Sequence, residues 1–176
     1  MHHIDLVGSF VIGGLLLLSV MGLMFYFNMS AHSNNVSQIE QRNVTEFGRV
    51  VEYDFNKLGY RVNAGSKIVA IDSLSITFRA DLNNDGVTDS VRYWRTGRRP
   101  LLFLTRHSSL APARDFTIVV GDFALKAFAA NGQTTWNIAD ICAIEFKMLI
   151  QKDVQLPQQV DKVGVYWTRR FYPKNL

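Results

Sequence analysis

Cysteine is almost absent from this sequence, with Cys142 as the single example among 176 residues. One cysteine excludes an intrachain disulfide, so the fold must depend on packing and hydrogen bonds rather than on cross-links. Cys142 stands in an apolar run at residues 141–144, where a free thiol behaves as a small hydrophobic group. We therefore expect the side chain of Cys142 to be buried.

The signatures of common catalytic sites are also lacking. The sequence contains no nucleophile elbow, no phosphate-binding loop, no dinucleotide fingerprint and no zinc-protease motif. Asp115 and Asp122 have no evident partner in the sequence, and the four histidines are scattered: His2, His3, His32 and His107. We predict that the protein is not an enzyme and has no catalytic residues.

Basic residues are missing from the N-terminal part of the chain, where no lysine or arginine precedes Arg42. Residues 6–27 carry no charged side chain, and a helix of this length spans roughly 30 Å, the thickness of a hydrocarbon core. The run is longer than the apolar core of a signal peptide and lacks a small-residue cleavage site, which favours a retained helix. All lysines and arginines lie after the apolar run, so the positive-inside rule by itself would keep the rest of the chain in the cytoplasm. If the rest of the chain is exported, we expect a basic leader, later cleaved, to set that orientation.

The residues that lead into this apolar run form a specific pattern. The triplet Ile-Asp-Leu occupies residues 4–6, and Gly14 lies within the run. This N-terminus resembles the mature N-terminus of type IV pilins and type II secretion pseudopilins, which commonly have Ile-Glu-Leu at residues 4 to 6 and glycine at residue 14. The register matches if Met1 is the mature first residue. Two positions depart from the family, because the acid is Asp5 rather than glutamate and Gly22 replaces the usual proline.

The resemblance implies a structural subunit of a type IV pilus-like or pseudopilus filament. Such a subunit is held in the inner membrane, with its head outside the cytoplasm, and then joins copies of itself or sister pilins in an extracellular filament. It also implies that Asp5 pairs with the α-amino group of Met1 of a neighbouring subunit. Independently of the resemblance, a carboxylate beside a long apolar helix is costly without a positive partner. Gly14 and Gly22 would allow helices to approach closely in the assembly, but glycine is also common in membrane helices in general, so both explanations of these glycines are open.

The periodicity of the chain changes after the apolar run and again after Gly59. An apolar stripe first recurs at helical spacing, through Val44, Phe47, Val51, Phe55 and Leu58. Beyond Gly59 apolar residues alternate with polar ones, which predicts six or seven strands. We predict an α+β fold of three parts: an apolar helix at residues 1–30, its amphipathic continuation at 31–58, and a β-rich head at 59–176. The head is expected to be a mainly antiparallel sheet packed on the amphipathic half, as in a pilin.

One segment of the head has the pattern of a calcium loop. Residues 81–89 follow D-x-N-x-D-G-x-x-D, with oxygen-bearing residues at alternate positions and glycine at the sharp turn. The predicted ligands are the side chains of Asp81, Asn83, Asp85 and Asp89 and the carbonyl of Val87. The twelfth position is Arg92 rather than the glutamate of an EF-hand. A plain hairpin turn also favours Asn, Asp and Gly, so a calcium site and a turn without metal are both open.

Two functional hypotheses follow from these features. The first is the filament subunit, which assembles through its N-terminal helix. The alternative is a membrane-anchored adhesion or binding module that is stabilised by calcium and does not polymerise. The formal charge of +4 comes from scattered lysine and arginine residues, so we predict no nucleic-acid partner. The hypotheses differ in whether the first thirty residues pack against other copies or lie alone in lipid.

Overall fold

The computed structural model describes residues 2–99, 101–110, 115–156 and 159–176. Met1 lies outside the described residues, and so do the side chains of residues 2–6, 33, 36–37, 40 and 152–163. In chain order the elements are α1 (His2–Lys57), β1 (Ile68–Ile71), β2 (Ser75–Ala80), β3 (Asp89–Arg98), β4 (Leu101–Ser108), β5 (Phe116–Val120), β6 (Asp122–Phe128), a 3₁₀ turn (Ile138–Asp140), β7 (Ala143–Leu156) and β8 (Gln159–Phe171).

α1 runs without a break for 56 residues, about 84 Å at a rise of about 1.5 Å per residue. The prediction of a long N-terminal helix is therefore confirmed. The helix ends just before Gly59, which adopts a left-handed φ of 77°. The amide of Gly59 donates to the carbonyl of Arg79 at 2.9 Å, so the end of the helix is fastened to β2.

The strands form two antiparallel sheets, which confirms the α+β class. One sheet has five strands in the order β1-β2-β3-β4-β5, and the other has three in the order β6-β7-β8. The described residues form eight strands, so the prediction of six or seven is too low. Only Gly121 separates β5 from β6 along the chain, yet the two strands belong to different sheets. The sequence pattern does not mark such a corner, because apolar residues continue on both sides of it.

The core lies between the second half of α1 and the sheets. The five residues of the predicted apolar stripe, Val44, Phe47, Val51, Phe55 and Leu58, are each no more than 4% exposed. The ring of Phe55 stacks on Phe171 of β8 at a centroid distance of 4.8 Å, and Phe146 of β7 meets Phe55 edge-on. Burial of a large apolar side chain contributes about 1.5–3 kcal/mol, so this stripe is enough to hold the helix on the head.

The prediction for Cys142 is wrong, because its side chain is exposed. Its neighbours Ile141 and Ala143 are 5% and 3% exposed and face the core. In extended backbone successive side chains point in opposite directions, so the residue between two buried ones faces solvent. When an apolar run extends into the start of a strand, some of its side chains therefore face solvent.

Candidate functional site

The first half of α1 is an apolar surface that the described residues of the head do not cover. Val7–His32 has a mean hydropathy of 2.3, and none of its most apolar stretch is buried. Phe10 is 85% exposed and Leu18 is 67% exposed. The hydroxyl of Ser19 donates to the carbonyl of Leu15 at 2.9 Å, which satisfies this polar group within the helix. Among the described residues this helix is the candidate membrane span, by length and composition.

The residues predicted to act in assembly lie on this uncovered half. Met1 is outside the described residues, and Asp5 belongs to α1 although its side chain is not among those described. Gly14 and Gly22 have no atom within 4 Å of the position that a Cβ would occupy. These glycines therefore leave notches on the helix surface that their own chain does not fill.

A buried polar network ties the second half of α1 to the five-stranded sheet. Asp54 is fully buried, and its Oδ2 accepts hydrogen bonds from the Tyr93 hydroxyl and from Arg106 Nε, each at 2.6 Å. Arg106 Nη2 also donates to Oδ1 of Asp54 at 3.0 Å, so the guanidinium binds both carboxylate oxygens. The network fixes the helix against β3 and β4 at one register.

The network changes the proton affinities of its members. Burial raises the pKa of Tyr93 well above its ordinary value, and the adjacent carboxylate of Asp54 raises it further. Burial alone would lower the pKa of Arg106, but the hydrogen bonds and charge of Asp54 outweigh it and raise this pKa. Tyr93 therefore stays a neutral donor and Arg106 stays a cation.

The motifs of the sequence do not predict this network, although the positions of its two charged residues are a signal for it. Asp54 lies three residues after Val51, within the apolar stripe of the helix. Arg106 lies two residues after Leu104, on the inward face of β4. A charged residue at a core position of a helix and another at a core position of a strand indicate a buried pair, but the register that joins them comes from the tertiary structure.

A second connection joins α1 to the turn at residues 81–89, which links β2 to β3. The Tyr53 hydroxyl donates to the carbonyl of Leu82 at 2.5 Å. Lys57 Nζ donates to the same carbonyl at 2.6 Å and to Oδ1 of Asn84 at 2.9 Å. Two helix side chains therefore hold the outer edge of the turn.

The carboxylates at the two ends of this turn accept hydrogen bonds from backbone amides within it. Asp81 is fully buried, and its Oδ2 accepts the amide of Gly86 at 3.1 Å. Asp89 accepts the amide of Leu82 through Oδ2, also at 3.1 Å. Gly86 adopts a φ of 86°, which favours glycine over a residue with a Cβ. The five predicted metal ligands thus lie in one compact turn.

The exposed tip of the turn is held by its own side chains. Asn83 Nδ2 donates to Oδ2 of Asp85 at 2.7 Å, and the amide of Val87 donates to Oδ1 of Asp85 at 2.7 Å. These bonds lower the pKa of Asp85, with the Asn83 bond as the larger cause. Within the described part of the chain, no three histidine, cysteine, aspartate or glutamate side chains converge as metal ligands.

The acids that have no evident partner in the sequence have one in the structure. Asp115 pairs with the ring of His107 on the sheet surface, where the two side chains are 60% and 47% exposed. Asp122 lies 3.6 Å from Nη1 of Arg95, whose strand is in the other sheet. The sequence interpretation of these acids is therefore corrected. Strand pairing brings His107 to Asp115, which proximity along the chain did not suggest.

These features together give a helix with two different tasks. Its first half is an apolar surface that stays exposed among the described residues. Its second half is locked to the head by the stripe, by Asp54 and by the contacts of Tyr53 and Lys57 with the 81–89 turn. No family model, curated protein or solved structure matches the chain.

Proposed function

We propose that the protein is a structural subunit of a type IV pilus-like or pseudopilus filament and assembles through its N-terminal helix. The observation that carries the proposal is one continuous 56-residue helix whose first half is apolar and uncovered while one stripe of its second half is buried in the core. An uncovered apolar surface of this size requires lipid or other apolar helices. A pilin-like subunit uses both in turn, the membrane before assembly and neighbouring helices afterwards.

The rigid joint between helix and head favours a filament subunit over a simple anchor. A lone anchor needs about 20 apolar residues and no fixed orientation towards its head. In this chain the helix enters the core without an intervening linker, and Asp54 fixes its register against β3 and β4. Packing the helices side by side would therefore place the heads in a defined helical array.

Within this proposal, the first turns of the helix set the axial register of assembly. The carboxylate of Asp5 pairs with the α-amino group of the first residue of a neighbouring subunit, which satisfies both charges in an apolar surrounding. Gly14 and Gly22 receive side chains of neighbouring helices in their notches. The pairing of Asp5 makes assembly, rather than membrane insertion, sensitive to this carboxylate.

The test is to replace Asp5 in the full chain in its native host. We expect Asp5→Ala to insert into the membrane at normal levels but to give at least a tenfold lower yield of sheared surface fibres by electron microscopy. Asp140→Ala is the matched control, because Asp140 is an exposed acid on the head. A normal fibre yield from Asp5→Ala would overturn the role of this residue.

A cross-linking experiment separates the filament from the lone anchor. The exposed Cys142 is first replaced by serine, and a single cysteine is then introduced at Phe10, which is 85% exposed on the apolar half. In a filament the helices pack side by side, so we expect a short bifunctional thiol reagent to give cross-linked dimers, the largest product that one cysteine per chain allows. If the sheared and membrane fractions contain only the monomer, the result would instead support the membrane-anchored binding module that does not polymerise.

A further inference from the structure

The 81–89 turn contains a buried oxygen without a partner. Asp81 is fully buried, and its Oδ1 has no hydrogen-bond partner among the described residues. Its other oxygen, Oδ2, is fixed by the amide of Gly86 and lies 3.4 Å from Nη1 of Arg61. Buried carboxylate oxygens are normally satisfied, so an unpartnered one indicates a missing donor or cation.

The contacts of the helix with the turn are mainly at its even positions. Tyr53 and Lys57 bind the carbonyl of Leu82 and Lys57 also binds the side chain of Asn84, while its bond to the carbonyl of Asp81 is longer, at 3.4 Å. The odd positions carry the remaining oxygens, on Asp81, Asn83, Asp85, Val87 and Asp89. Lys57 thus occupies the outer edge of the turn, while the odd positions comprise two buried acids, Asp81 and Asp89, and three exposed residues, Asn83, Asp85 and Val87.

From this geometry we propose that the 81–89 turn binds one calcium ion. The ligands are Oδ1 of Asp81, the side-chain oxygens of Asn83, Asp85 and Asp89, and the carbonyl of Val87. The three acids among the described residues of the turn converge only once Asp85 has rotated away from Asn83 and Val87. An all-oxygen set in a compact turn suits a hard cation, and calcium accepts irregular geometry more readily than magnesium does. The site requires no filament, so it stands or falls independently of the proposed assembly.

The tip of the turn is the part that moves when the ion binds. Asp85 is exposed and bonds to Asn83 and Val87 of the same turn, so its carboxylate can rotate without disturbing the core. Asp81 and Asp89 are already fixed by backbone amides. Two buried acids and one mobile acid give a site that is formed at its base and closed at its tip.

The affinity is expected to be modest. Arg92 stands where an EF-hand has its bidentate glutamate, and the cations Lys57 and Arg61 lie beside the turn. We therefore expect a dissociation constant of about 10⁻⁴ M, in the range of extracellular calcium modules. Because Tyr53 and Lys57 hold the same turn, calcium stabilises the joint between helix and head.

The test uses the full chain in detergent, treated with a chelator and then titrated with calcium chloride. We expect calorimetry to report one site per chain and the melting temperature to rise by about 5 °C at saturation. Asp85→Asn should weaken binding at least tenfold, and calcium should raise its melting temperature less than that of the original chain, each compared with its own calcium-free value. Terbium offers a second probe, because its emission is sensitised by a nearby phenol such as that of Tyr53.

Asp140→Asn provides the matched control for Asp85→Asn. Asp140 is also exposed, and it also accepts a side-chain amide bond of 2.7 Å, from Asn137. This variant should bind calcium like the original chain. The proposal is overturned if the original chain shows no binding heat and no melting shift at 5 mM calcium, about fifty times the expected constant. Equal binding by the original chain and Asp85→Asn would also overturn the ligand set.

Discussion

Asp54 lies inside the core, where its charge depends on two partners. Replacing it with alanine leaves the guanidinium of Arg106, whose side chain is 11% exposed, and the hydroxyl of Tyr93 without an acceptor. Removing one member of a buried ion pair costs about 3–5 kcal/mol. We expect Asp54→Ala to lower the free energy of unfolding by this amount, measured by urea denaturation of the full chain in detergent.

Glu52→Ala is the control for this experiment, because Glu52 also joins α1 to the head. Its partner is Arg169, and the two side chains are 31% and 55% exposed. An exposed pair of this kind contributes at most about 1 kcal/mol. Similar losses for the two variants would show that the Asp54 network contributes no more than a surface ion pair.

The three-stranded sheet contains a carboxylate that makes its stability depend on pH. Glu145 of β7 lies 2.9 Å from Lys147 Nζ of its own strand and 2.9 Å from Arg170 Nη2 of β8. Burial acts to raise the pKa of Glu145, but the hydrogen bonds from Lys147 and Arg170 outweigh it and lower this pKa. The carboxylate is therefore more acidic in the folded protein than in the unfolded chain.

A lowered folded pKa sets the sign of the pH effect. The stabilisation from Glu145 is present above its ordinary pKa of 4.5 and is lost as the pH falls through the folded value. We expect the original chain to be more stable than Glu145→Gln at pH 7, and the gap to narrow below about pH 4.5. Urea midpoints of both proteins from pH 7 to pH 3 measure the gap, and a gap that stays constant would contradict this interpretation.

At the level of the helix, the two halves of α1 share one backbone conformation but differ in what packs against them. The stripe from Val44 to Leu58 is buried because the sheets cover it, whereas side chains such as Leu18 stay mostly exposed. Helix geometry alone is the same along both halves. This difference in burial comes from the sequence. The second half has an apolar face and a charged face, whereas the first half has no charged face.

At the scale of the whole molecule, we expect the uncovered half of α1 to control the partition of the protein into membranes. Leu18 lies near the middle of the candidate span and is 67% exposed. An arginine at the centre of a membrane helix costs about 2.5–3.5 kcal/mol on insertion scales, whereas leucine favours insertion. We expect Leu18→Arg to shift most of the protein from the alkali-resistant membrane pellet to the soluble or degraded fraction.

Val50→Arg is the control, because Val50 is 38% exposed on the second half of α1 and lies outside the span. It should stay in the pellet with the original chain. If Leu18→Arg also stays in the pellet, the apolar half does not hold the protein in the membrane. If both variants leave the membrane pellet, the protein is sensitive to an added charge anywhere in α1.

The sequence by itself determined the long N-terminal helix, the apolar stripe of its second half and the α+β class. These features are local, because helix and strand periodicities are visible in any window of a dozen residues. The residues of the 81–89 turn were also visible, since their pattern is contiguous. Only the tertiary structure decided which distant groups meet: Asp54 with Arg106, Tyr53 and Lys57 with the turn, and His107 with Asp115. Those contacts depend on strand register and on the docking of the helix, and packing of the whole chain fixes both.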